Sequence, residues 1–234
     1  MTPELLDAFS EAIAEARGDQ KIRCLVITGR GPCFSAGADL RSSMQRSDLG
    51  KPSRDASFAM YEPFLQVLDV EVPVIAAMNG HTVGGGFGLS LLADIRIANV
   101  DAKYGVNFAR LGIHSGLGIS YLLPRLVGAA HAAELLFTGK LIRGDEALRI
   151  GLVTHAEAAE EVLPTAMGLA RAIAGSAPMA VQQMKASIRR GLRWEIREAA
   201  LDEAGLQAAS LSTEDAKEGV SAILEKREPD FTGR

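Results

Sequence analysis

A chain of 234 residues, 47% of them hydrophobic, has enough apolar surface for one large core, and we expect one main domain with a helical tail. The formal charge of -4 and a sequence pI near 5.6, with no run of Lys or Arg, exclude the basic field that draws a protein to nucleic acid. Met1-Thr2-Pro3-Glu4 leads straight into a helical pattern, without a basic and apolar leader or an apolar run long enough to span a bilayer, so the expectation is a cytoplasmic protein that does not enter a membrane.

In chain order, Thr2 can cap and Pro3 can open a helix over 3–17, with Leu5, Phe9, Ile13 and Ala16 at helical spacing. Cys24-Leu25-Val26-Ile27-Thr28 reads as a strand buried on both faces. Its Cys24, and Cys33 beyond, have no metal or disulfide spacing. Gly29-Arg30-Gly31-Pro32 turns the chain and Cys33-Phe34-Ser35 resumes extended structure. Ala36-Gly37-Ala38-Asp39-Leu40 then offers small residues where the backbone must approach something closely. The polar stretch 42–55 reads as a loop able to act as a lid.

A helix near 56–69 precedes a second buried strand, Val72 to Met78, with Pro73 at its start where a missing N–H is tolerated. Val83-Gly84-Gly85-Gly86-Phe87-Gly88 leads into an apolar helix to Leu92, and Ile95-Arg96-Ile97-Ala98 forms the next strand. Helical patterns follow over 117–127, 130–137, 144–149, 159–174, 178–190, 194–210 and 213–226, with a short strand expected at Leu152-Val153. Strands first and helices later imply an α/β core with a helical layer or tail.

Two glycine-containing turns therefore follow two buried strands, and the start of a helix leaves its first N–H donors free. Two such amides aimed at one point make an oxyanion hole, which stabilises the charge developing on a thioester carbonyl by roughly 3 to 4 kcal/mol per donor. Glycines that merely let a helix pack closely on a strand are the competing explanation of either turn alone.

Phe34-Ser35-Ala36-Gly37-Ala38-Asp39-Leu40, Pro73 to Gly80 running into Gly84-Gly85-Gly86, and Asp94-Ile95-Arg96-Ile97-Ala98 together resemble the crotonase family of enoyl-CoA hydratases and isomerases. The likeness continues through Leu126-Val127-Gly128, Thr138-Gly139 and Ala147 to Val153, and through Glu218-Gly219-Val220 to Phe231, covering nearly the whole chain. It implies a spiral of ββα units over 1–174 and a C-terminal helical trimerisation region over 175–234, assembling as homotrimers or hexamers. It also implies an acyl-CoA thioester as partner, with coenzyme A as part of the substrate and no separate cofactor or metal. The oxyanion hole would be the backbone N–H groups of Ala38 and Gly85. Ala36, Arg41, Gly84 and Phe108 would line the substrate site, and Lys226 would reach the nucleotide end of CoA. Relatives also carry an N-terminal hairpin ahead of the point where this sequence starts, so the hairpin is expected to be absent.

Two departures bear on the reaction. Where a hydratase of the family places two glutamates to activate one water, this chain has Gly88 and Phe108, neither of which can transfer a proton. Relatives that use an aspartate place it at the position of Gly116. Gly88 and Phe108 are expected to leave an apolar space in the pocket floor. His114 is the nearest titratable candidate for a base, although a lone histidine in an apolar stretch more often serves as a hydrogen-bond donor. Tyr61 and Glu62 are expected to face the surface, Asp39 and Asp94 to hold backbone N–H groups, and His81, His131 and His155 to form no metal site. Ordinary hydratase activity is thus doubtful, and two functions stay open: an enzyme with an unassigned or substrate-supplied base, or a non-catalytic acyl-CoA binding module.

Overall fold

The computed structural model describes residues 2–37 and 53–234. The expected loop 42–55 and the candidates Ala38, Asp39 and Arg41 lie mostly or wholly outside them.

Helix α1 (Pro3–Gly18) is capped by the Thr2 hydroxyl, which accepts from Leu5 N. Its apolar stripe is buried only in its second half: Ile13 is covered and Phe9 meets the Phe64 ring edge-on at 5.2 Å, while Leu5 stays 53% exposed. The expected helix over 56–69 is three pieces, α2 (Arg54–Ala59), α3 (Glu62–Leu65) and a 3₁₀ turn at Gln66–Asp69. Pro63, which lacks an N–H and suits a first turn, fits a restart after Tyr61 rather than one continuous helix.

Strands β1 (Leu25–Thr28), β3 (Val74–Met78), β5 (Ile95–Asn99) and β8 (His155–Glu157) form one parallel sheet in the order β1-β3-β5-β8. β3 is central and wholly buried, and its alternation divides the core: Val74, Ala76 and Met78 join the main apolar cluster, while Ile75 and Ala77 pack with Ile97, Val162, Ala166 and Ala170. The last three belong to α7 (Val162–Ala174). β1, expected to be buried on both faces, is instead a half-buried edge strand. The short strand expected at Leu152-Val153 is also displaced. Those two side chains are core, and pairing begins three residues later at His155, where Thr154 N has already bonded the Arg96 carbonyl.

A second sheet, β2 (Cys33–Ser35), β4 (His81–Val83), β6 (Lys103–Gly105) and β7 (Ile142–Arg143), runs β2-β4-β6-β7, parallel except for β7. These strands have two or three residues each, too short for a period to declare itself in the sequence. Helix α4 (Gly85–Leu92) starts directly after β4. The remaining helices follow: α5 (Ile119–Thr138), broken at Gly128 between the two helical patterns of the sequence, the short α6 (Gly144–Arg149), α7, α8 (Pro178–Ile188), α9 (Leu192–Leu211) and α10 (Glu214–Glu225).

Two buried polar groups tie the layers. Arg96, 6% exposed, donates to the carbonyls of Leu152 at 2.8 Å and Ala93 at 2.7 Å, and burial lowers its pKa to about 10. Asp94 accepts from Val74 N at 2.7 Å, as its position suggested. It also pairs with Lys185 at 2.9 Å and Arg189 at 2.6 Å, which fastens α8 to the end of α4.

Candidate active site

Three parallel strands of the second sheet end together, and the residues after them meet. Val83 of β4 is in register with Gly105 of β6, and Gly84 N donates to the Gly105 carbonyl at 3.1 Å, so 105–108 runs beside 83–86. On the other side β2 ends at Ser35. A Cβ built on Gly37 (φ 82°) would lie 3.1 Å from the Val83 carbonyl oxygen and 3.7 Å from Gly85 N. Carboxyl ends of neighbouring parallel strands are where α/β folds place their ligands.

Gly84 has φ 59° and ψ -126°, a conformation open only to glycine, and it is the residue before α4. The first N–H to bond back into the turn is that of Gly88, to the Gly84 carbonyl at 3.1 Å, which leaves those of Gly85, Gly86 and Phe87 without partners inside the helix. A Cβ on Gly86 would sit 2.3 Å from that of Ser35, so only glycine lets the helix start come this close to β2. The positive end of α4 thus lies against Gly37, the residue before Ala38.

Gly84 is closely surrounded: a Cβ there would be 3.8 Å from Asn107 Oδ1, 3.9 Å from Phe108 Cζ and 4.0 Å from Gly37 Cα, in contact with a polar side chain, an aromatic ring and the facing backbone. The Phe108 ring lies against the Gly84 turn. The expected space at Gly88 is not there: a Cβ on Gly88 would meet Leu117 Cδ2 at 2.8 Å and Ile119 Cδ1 at 3.1 Å, both wholly buried. Neighbouring core side chains occupy the volume.

The far wall is the segment 112–120. Tyr61, expected on the surface, is 5% exposed, and its ring lies where a side chain at Gly116 would go, with the Cβ position 2.4–2.5 Å from its Cε2, Cζ and Oη. The Tyr61 hydroxyl donates to Gln207 Oε1 at 2.8 Å, and burial pushes its pKa up to about 12 against the opposing effect of that bond. Glu62, by contrast, is partly exposed and paired with Arg197 at 3.0 Å.

The backbone of His114 is held at both ends by α9: its N–H donates to Ser210 Oγ at 2.9 Å and its carbonyl accepts from Gln207 Nε2 at 3.0 Å. The half-buried ring has Nδ1 2.8 Å from the Ser115 carbonyl oxygen; with Nδ1–H donating there, Nε2 is the basic nitrogen. One turn earlier on α9, Glu203, 2% exposed, accepts from Gly118 N and Ser120 N at 2.7 Å each and from the Ser120 hydroxyl. Between these anchors Leu117 takes φ 68°, a left-handed conformation rare for leucine. Glu203, Gln207 and Ser210 share one face of a helix, yet nothing in their sequence context marked them, because their partners lie over 80 residues away.

Ala36 is exposed just after β2, and Lys226, also exposed, ends α10 in a left-handed conformation. Helix α10 packs on the 3₁₀ turn Ala109–Leu111 that follows Phe108. His81 Nδ1 accepts from Lys103 N at 3.0 Å, and no cluster of metal-ligating side chains occurs among the described residues. A cleft of about 450 Å³ lined by Arg17, Arg23, Asp69, Glu71 and Gln182 lies away from the glycine turns.

Comparison with known proteins agrees with this geometry. The enoyl-CoA hydratase/isomerase family matches residues 1–234. A crotonyl-CoA hydratase of Syntrophomonas wolfei is 36% identical over 235 residues, spanning 100% of this chain and 90% of that protein. A short-chain-enoyl-CoA hydratase of Clostridium acetobutylicum is 36% identical over 228 residues, 97% of this chain and 87% of its own. The crystal structure of an enoyl-CoA hydratase/isomerase from Pseudoalteromonas atlantica superposes with a TM-score of 0.87 at 29% identity, covering 99% of this chain and 90% of that one. Two glycine turns meeting at the ends of parallel strands, on a chain matched from end to end, make this protein a member of the crotonase family, the enoyl-CoA hydratases and isomerases.

Proposed function

We propose that the protein binds an acyl-CoA thioester and stabilises the enolate oxyanion formed from it, with the amides of Ala38 and Gly85 as donors. The observation that carries this reading is the approach of Gly37 to Gly85 N across the ends of β2 and β4. A carbonyl oxygen received by two fixed dipoles gains stabilisation as its charge grows, without reorganisation of solvent.

Ordinary hydratase turnover is weak or absent in this reading. The Gly88 position is filled by Leu117 and Ile119, and Phe108 presents a ring rather than a carboxylate. Losing a positioned acid or base costs about 10²- to 10⁴-fold in rate. His114, with Nε2 as its basic nitrogen, is the candidate base, and a substrate that supplies its own electron pair needs none. The packing at Gly88 also favours a second reading, a non-catalytic acyl-CoA binding protein. The helical region 175–234 is proposed to join subunits into trimers: α8 buries no residue within the chain, and Met179, Met184, Ile188 and Trp194 are 63–81% exposed.

Titration with acetoacetyl-CoA, following the ultraviolet absorbance of its enolate, tests the hole. Binding with that spectral change supports it, and absence of binding removes the acyl-CoA reading. A turnover screen against enoyl-CoA thioesters then separates the enzyme from the binding module. Rate loss in Ala38→Pro, which deletes one amide donor, ties any turnover to the hole. Light scattering reads the oligomer.

A further inference from the structure

Arg96 is a buried charge whose bonds all go to carbonyls. Its Nε donates to Leu152 O at 2.8 Å and its Nη1 to Ala93 O at 2.7 Å, with Ser90 O at 3.4 Å, and among the described residues no carboxylate comes within ion-pair distance of it. Burial lowers its pKa only to about 10, so it stays protonated at neutral pH. Ser90, Leu92 and Ala93 form the C-terminal end of α4, where the last carbonyls of a helix have no partner inside it. The Leu92 carbonyl is taken in the same way, by Nη2 of Arg189 at 2.7 Å, from a side chain 13% exposed just beyond α8. Lys185 and Asp94 are the other charged groups bonded there, so three cations face one carboxylate; Cys24 beside them is a neutral thiol, its pKa raised by burial to about 11. Two guanidiniums thus cap one end of the helix whose other end presents Gly85 N.

We propose that Arg96 and Arg189 are positioning residues for the oxyanion: bound to the C-terminal carbonyls of α4, they fix the helix that presents Gly85 N and add a positive potential along its axis where the enolate oxygen would lie. This rests on the acyl-CoA reading above. Packing alone does not call for a guanidinium at residue 96, since an apolar side chain of similar length fills such a volume without burying a charge. The eight residues of α4 make a helix about 12 Å long. A unit charge at about that distance, at an effective dielectric constant of about 20, shifts the ionisation of a group at the far end by about one pH unit. The effect falls on the enolate and not on the neutral thioester, because a fixed charge acts far more strongly on a developing charge than on a carbonyl dipole.

The test follows the ultraviolet absorbance of acetoacetyl-CoA bound to the intact protein against pH, in the wild type, Arg96→Gln, Arg96→Lys and Arg189→Gln, with calorimetric titration of butyryl-CoA, which forms no such enolate, as the control for packing. Without the cation the bound ligand keeps its proton to higher pH, so the midpoint of enolate formation is expected to rise by about one unit in both glutamine variants and to return toward the wild-type value in Arg96→Lys, while butyryl-CoA affinity changes less than about threefold. Should Arg96→Gln fail to fold, Arg189→Gln, nearer the surface, decides by the same measure. An unshifted midpoint, or an equal loss of affinity for both thioesters, overturns the role of the two arginines and leaves the acyl-CoA reading intact. Failure of the wild type to bind either thioester overturns both.

Discussion

The candidate site has two sides that are built in opposite ways. On the amide side, Gly37, Gly84 and Gly86 bring β2, β4 and the start of α4 together by having no side chains, so the geometry is a property of local sequence and backbone. On the other side, 112–120 is held by side chains from distant elements: Tyr61 against Gly116, Gln207 and Ser210 on the backbone of His114, and Glu203 on Gly118 and Ser120. The first side has almost no freedom: a carbon added at Gly86 collides with Ser35, one at Gly37 comes within 3.1 Å of the Val83 carbonyl oxygen, and Gly84 is held by its positive φ. The second is defined by its partners: the Tyr61 ring stands where a side chain on residue 116 would go, and Leu117 and Ile119 fill the place a side chain on residue 88 would take. The difference separates a side whose geometry is set by backbone from one whose chemistry is set by the side chains packed against it.

The largest effect should come from the amide side. Gly86→Val puts a branched carbon 2.3 Å from Ser35 Cβ and 2.8 Å from its carbonyl oxygen, with no flexible chain end to yield. It is expected to cost more than about 3 kcal/mol or to prevent folding, read as loss of the thermal transition. Next, Gly88→Glu places a carboxylate at residue 88, but drives its Cβ to 2.8 Å from Leu117 and 3.1 Å from Ile119. The expectation is a loss of about 2–3 kcal/mol with no gain in crotonyl-CoA hydration, because the charge enters a packed core. A stable Gly88→Glu protein with new hydratase activity would break the comparison, since it would show that the side-chain-built side yields to a charge placed in its packing.

Glu203→Ala tests the loop side itself. It strips the acceptor from Gly118 N and Ser120 N, two donors at the start of α5. A loss of about 2–3 kcal/mol in denaturant unfolding is expected, and a smaller one for Glu203→Gln, which keeps one acceptor oxygen. Hydrogen exchange should show the opening localised to 112–120.

The same contrast decides what could be read from the sequence. The glycine turns and the fully buried β3 were legible, because each depends on residues a few places apart or on a run whose apolarity is unbroken. The strands β4 and β6 were not, being three residues each and pleated among glycines, and β1 was read as central because an apolar run does not say whether its second neighbour exists. Tyr61 was assigned to the surface because its burial depends on the missing side chain of Gly116, 55 positions away. Space at Gly88 was expected for a related reason: a missing side chain in sequence becomes a cavity only if nothing else moves in, and Leu117 does.

The smallest predicted effect isolates one contact of the loop side. Burial holds the Tyr61 phenol neutral, with its pKa raised from about 10 to about 12, so in the folded state it keeps a proton that the unfolded chain releases between those values. Stability from this group is therefore complete below pH 10 and lost as pH rises toward 12, because in that window the unfolded state binds fewer protons than the folded one. Tyr61→Phe keeps the ring against Gly116 and removes only the hydroxyl and its bond to Gln207. At pH 8 it should cost about 1 kcal/mol, and the fall in stability from pH 9 to 11 should be shallower than in the wild type by a similar amount. Equal slopes would mean that the phenol ionises in place, and that the far wall of the site admits water where the packing of Tyr61 on Gly116 says it is dry.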